Sequence, residues 1–187
     1  RENAFNQACS NGHFQIMRLL LESTDHKNIK INAANVKGEN AFHQACLNGH
    51  FKIVDLMFDQ REPKGINIHA RNKENNHAVI MADTNEHTKI VELLKKDHET
   101  EFVLALFRED LMTLRNWFLE AETDYIIDFN NNNTDLHGNT FFMVACSLGH
   151  DDLVFLFLTK SKSKHINIDA TNMIGDTAFH LACANGH

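Results

Sequence analysis

The chain has 187 residues, 43% of them apolar, enough to bury a core, and no apolar run approaches the ~18 residues of a membrane span. Its 18 Lys and Arg stand against 25 Asp and Glu, a formal charge of -7, which opposes the phosphate neutralisation on which nucleic-acid binding depends. A chain this long does not need its 4 cysteines as staples, and 1 proline with 8 glycines excludes a sandwich of many short strands.

In chain order, the first motif is Ala8-Cys9-Ser10-Asn11-Gly12-His13-Phe14, and it returns as Ala45-Cys46-Leu47-Asn48-Gly49-His50-Phe51, a period of 37 residues. A degraded copy, Ala82-Asp83-Thr84-Asn85-Glu86-His87, keeps the period. Further copies follow at Ala145-Cys146-Ser147-Leu148-Gly149-His150 and Ala182-Cys183-Ala184-Asn185-Gly186-His187. Between Ala82 and Ala145 the apolar order of 102–119 predicts one worn copy with Leu106 opposite Ala8, reached by a connection shortened by 13 residues. Six units are expected in a single array, 1–37, 38–74, 75–98, a divergent 99–137, 138–174 and a partial 175–187, and the array reads as a piece of a longer one.

Each unit predicts two helices and a turn. In the second unit Asn40 is the N-cap of a helix near 41–47, because its side chain can accept from an unpaired backbone N–H, and Gly49 stops that helix in a left-handed conformation. Thr140 and Thr177 hold the same capping position. A second helix begins near Phe51 with Ile53, Val54, Leu56, Met57 and Phe58 at helical spacing. Gly38, Gly138 and Gly175 mark the turn into the next unit, and Asn75, which also tolerates positive φ, replaces them in the third.

The stretch from Gly38 to Met57 resembles the ankyrin repeat almost position for position, and Gly175 to His187 resembles its first half. The departures are Ala4, Ala41, Ala78, Phe141 and Ala178 where the family has proline, and Asn6, Ile80 and Met143 where it has the histidine kept at His43 and His180. The resemblance implies an all-α ankyrin-repeat α-solenoid with β-turn fingers, binding another protein through a concave surface. Position by position, the partner-facing residues would be Val36, Lys37, Glu39, Leu47 and Asn48, then Lys73, Glu74, Asn76, Thr84 and Asn85. The fifth and sixth units would add Leu136, His137, Asn139, Ser147 and Leu148, then Met173, Ile174, Asp176, Ala184 and Asn185. The competing reading is a regulatory or targeting array of an enzyme or channel whose working domain lies outside this sequence.

Other chemistry finds little support. His43 with Cys46, and His180 with Cys183, could each offer two ligands on a helix face, but tetrahedral zinc needs four and stacked helices lie ~8–10 Å apart. The same spacing disfavours a Cys9 to Cys46 disulfide. His13, His50, His87, His150 and His187 recur at a fixed position, as structural residues do, whereas an active site would occur once. No catalytic residue, metal or cofactor is expected, nor nucleic acid, nor direct membrane insertion, and the setting is expected to be intracellular. Leu111, Leu114, Trp117 and Phe118 form an apolar face in the worn unit, read as core, with a partner groove as its alternative.

Overall fold

The computed structural model describes residues 3–23, 29–108, 110–120, 137–160 and 167–187, and among them the regular structure is helical apart from isolated bridging, Arg71 to His77 and at Thr140. The helices come in pairs: α1 (Ala4–Ser10) with α2 (Phe14–Glu22), and α3 (Ala41–Leu47) with α4 (Phe51–Asp59). A single turn, α5 (Arg61–Lys64), precedes α6 (Ala78–Thr84) and α7 (Thr88–Leu94). Then follow α8 (His98–Phe107) with α9 (Leu111–Glu120), α10 (Phe141–Ser147) with α11 (Asp151–Lys160), and α12 (Ala178–Asn185). No helix among the described residues is long and apolar enough to cross a membrane.

The residues cluster into two compact units, 1–101 and 102–187. In the first, α1, α3 and α6 pack in sequence, and α2, α4 and α7 pack behind them. Helices of seven to nine residues are marginal alone, so the core between them sets their stability. Phe5, Met17, Phe42, Ile53, Met57, Ile90 and Leu94 fill it. A sulfur seam joins the tiers, the Cys9 thiol lying 3.1 Å from Met17 Sδ and 3.9 Å from Met57 Sδ.

In the second unit the core is aromatic. Phe141 occupies the first-helix position held by Ala41 and Ala178, and its ring meets Phe102 edge-on at 5.6 Å and Phe157 at 4.6 Å. Phe142 adds an edge contact to Phe157 at 6.0 Å. Leu114 of α9 is fully buried in this cluster, while the side chains of Leu111, Trp117 and Phe118 lie outside the described set.

Caps form where the sequence places them, and at Asn3 as well. Asn3, Asn40, Thr140 and Thr177 each accept the N–H three residues on. His43 and His180 complete a reciprocal box, as does Met143 through its sulfur. Asn6 compensates for the missing histidine by donating 2.9 Å to the carbonyl of Ala33. The third unit has no such remedy, since His77 makes no side-chain cap bond to α6 and Ile80 has nothing to return.

The fourth unit departs most. Only Lys95–Asp97 separate α7 from α8, so no finger precedes it, and Asp97 caps α8 through the N–H of Thr100 at 3.0 Å. The bond from Asp110 N–H to Ala105 O repeats those of His13 to Ala8 and His50 to Ala45. Ala105, not Leu106, is therefore the counterpart of Ala8; the apolar order alone does not resolve a one-residue shift because both neighbours are apolar.

Glycine is required where units meet. Gly12 has φ +73°, and a Cβ there would lie 2.8 Å from the His50 ring; at Gly49 the clearance to His87 would be 2.6 Å. The third unit instead has Glu86 at φ 60°, and the unit after it carries Asp110, not histidine, in the ring's position. A left-handed non-glycine costs ~1–2 kcal/mol, against ~0.5–1 kcal/mol for the chain entropy of glycine. Glu86→Gly should thus raise stability by about 0.5–1 kcal/mol in urea unfolding, whereas Gly49→Ala should lower it by ~2 kcal/mol through strain and the His87 clash. Shifts of the same sign for both would refute this account of the glycines.

Candidate partner-binding surface

The turn ahead of each first helix is built by one asparagine. Asn35 Oδ1 accepts the N–H groups of Lys37 at 2.9 Å and Glu39 at 3.0 Å, while its own N–H donates to Glu39 O. Asn72 does the same for Glu74 and Asn76, and Asn172 for Ile174 and Asp176. Each finger is thereby closed on itself, with its two tip residues pushed into solvent.

Neighbouring fingers are joined through the backbone. Lys73 N–H donates 2.9 Å to Lys37 O in the first compact unit, and Met173 N–H donates 3.1 Å to His137 O in the second. This approach is why Gly38 and Gly138 lack side chains: a Cβ on Gly38 would lie 2.8 Å from the Lys73 nitrogen. Asn75 is allowed in the third finger because the fourth unit has none to pack on it.

At the tips, Val36, Met173 and Ile174 are 80%, 63% and 82% exposed, and Lys37, Lys73, Glu74 and His137 are exposed as well. Asn76, Asn139 and Asp176 are half-buried at the finger bases. Leu136 lies outside the described residues. Glu39 corrects the sequence reading: it is 4% exposed, its carboxylate accepting from Asn35 Nδ2 and Gln44 Nε2, so it holds the finger onto α3 and does not face a partner. The resemblance places it beside the tip, but the two amides draw its side chain inward.

The ends of the first helices form the other half of the surface. Leu47, Ser147 and Leu148 are half-buried, and Asn48, Thr84, Asn85, Ala184 and Asn185 are exposed. The amide groups of Asn48, Asn85 and Asn185 donate to the last-turn carbonyls of Gln44, Met81 and Leu181. That fixes each side chain and leaves its oxygen outward as an acceptor. His50 Nε2 lies 2.9 Å from Ser10 O and His87 Nε2 3.0 Å from Leu47 O, so these recurring histidines satisfy helix-end carbonyls of the preceding unit. The sequence marks them as structural without showing this partner.

Nothing in this arrangement points to chemistry. Among the described residues no three His, Cys, Asp or Glu side chains gather as a metal site. The four cysteines are free, and burial pushes the Cys9 thiol up to about 12 and raises that of Cys46 still further, leaving both as inert thiols.

Asn72→Ala removes both bonds that shape the third finger, and at ~1 kcal/mol each it should cost about 1–2 kcal/mol of stability. Amide exchange should quicken at Glu74 and Asn76 first; unchanged protection there would mean the asparagine does not build the finger.

The family model for ankyrin repeats (3 copies) matches residues 1–72. No curated protein matches the chain.

Proposed function

We propose, from the match of residues 1–72 to the family model for ankyrin repeats, that the chain is a protein-binding module whose contact surfaces, in each compact unit, are the finger tips and the exposed ends of the first helices. The observation that carries this is the exposure of Val36, Met173 and Ile174 at 80%, 63% and 82% on fingers whose backbone is tied by hydrogen bonds. Apolar side chains held in solvent on a rigid frame gain from burial by a partner and lose little freedom on binding. Lys37, Lys73, Glu74 and the outward amide oxygens of Asn48, Asn85 and Asn185 supply polar contacts around them. On this reading the chain works by recognition, with His50, His87 and His187 engaged in packing between units.

The test uses a partner captured by the chain and identified by mass spectrometry, with affinity then measured on purified proteins. Val36→Glu together with Ile174→Glu should weaken binding at least tenfold and leave the melting temperature unchanged, because both side chains are already in water. Lys52→Glu with Lys89→Glu, exposed on the second helices, should leave affinity within about twofold. Loss of binding with the lysine pair and not with the tip pair would place the partner on the opposite face.

A further inference from the structure

The base of the third finger carries a histidine where α1, α3, α10 and α12 carry Asn or Thr as their N-cap. His77 is 3% exposed at the N-cap of α6, makes no cap bond, and its Nε2 is buried without a hydrogen-bond partner; the adjacent Asn76 Oδ1 is in the same condition. The charged and titratable groups that act on the ring are Arg71 and His69 from the finger and His43 from α3. No carboxylate is among them: Glu39 acts on His43, and Asp97 lies 3.6 Å from His69. His43 is itself fully buried, its Nε2 3.3 Å from Asn76 O, so this contact is one of those that hold the finger on α3. A proton placed on His77 in the closed finger would meet a cation and two imidazoles.

We propose that the base of the third finger is an acid-sensitive joint: in mildly acidic solution His77 takes up a proton in an opened form, in which residues 71–77 and the first turn of α6 leave α3. Burial first, then Arg71, His69 and His43, hold the closed-state imidazole down to about 3, against 6.5 when free. The closed form is thus fully favoured above pH 6.5 and loses ground as pH falls below it, because only the opened form binds the proton. Lys73, Glu74 and Asn76 ride on this finger, so acid withdraws part of the surface proposed above. The joint rests on that surface only for its consequence, and it is tested without any partner.

Amide exchange followed by NMR, expressed as protection factors to remove the intrinsic pH dependence, reads the opening directly. Between pH 7.5 and 5.5 the opened population at Glu74, Asn76 and Ile80 should rise about tenfold through His77 alone, the ratio set by a free imidazole near 6.5. Amides of α4 that exchange while the finger stays closed should show no such change. His77→Asn, which restores the cap found at Asn40, should take that tenfold out of the pH dependence. Equal pH dependence in the natural and substituted proteins, or none in the natural one, would overturn the joint. If His77→Asn fails to fold, the ring resonances of His77 in the natural protein decide: no titration above pH 5 while the finger stays closed supports the joint, and a midpoint near 6.5 with the finger closed refutes it.

Discussion

Everything in the two compact units depends on how closely one repeat can approach the next. The paired helices have seven to ten residues, too few turns to be stable alone, so each must lay its apolar face on a neighbour. The closest point is the glycine that ends the first helix, onto which the next unit lowers a histidine ring: His50 on Gly12, His87 on Gly49, His187 on Gly149. For His50 and His87 the ring nitrogen also reaches a carbonyl at the end of the preceding first helix. One pair of residues therefore settles the steric problem, the left-handed turn and an unpaired helix-end acceptor together. Glycine and histidine are coupled across units, and neither can be explained within its own.

The same coupling accounts for the odd third unit. It has lost glycine at two places, Asn75 and Glu86, and the fourth unit lacks both a finger and a ring-bearing histidine at the corresponding positions. Where the next unit brings nothing that needs the clearance, only the backbone requirement for positive φ remains. Asparagine meets it at small cost and glutamate at a larger one.

The sequence reveals the repeat, its period, the caps at Asn40, Thr140 and Thr177 and the shortened third-to-fourth connection, because each leaves a local signature. Capping needs one residue type at one place, and a missing finger removes residues outright. Glu39 was illegible for the opposite reason: nothing in a surface turn announces that Asn35 and Gln44 will both donate to it. The finger-building asparagines, Asn35, Asn72 and Asn172, do have a signal, since each stands three residues before the left-handed position. Their weight appears only once the two bonds accepted by each side chain are seen. The worn unit was placed one residue out because Ala105 and Leu106 are both apolar, and only the backbone bond from Asp110 separates them.

A surface of this kind can change its partner without changing its fold, and the reason lies in which residues carry the load. The finger backbone is determined by the asparagine before the tip and the left-handed residue after it, which stay constant, or nearly so, as Asn35 with Gly38, Asn72 with Asn75 and Asn172 with Gly175. The two residues between are Val36-Lys37, Lys73-Glu74 and Met173-Ile174, an apolar-basic, a charged and an apolar pair on the same turn. The hydrogen bonds that shape the turn are made by backbone groups at the tip, not by its side chains, so the side chains are free to vary. Under the proposed function, folding and recognition draw on different atoms of the same four residues, and affinity would be tuned at the tips with almost no effect on stability.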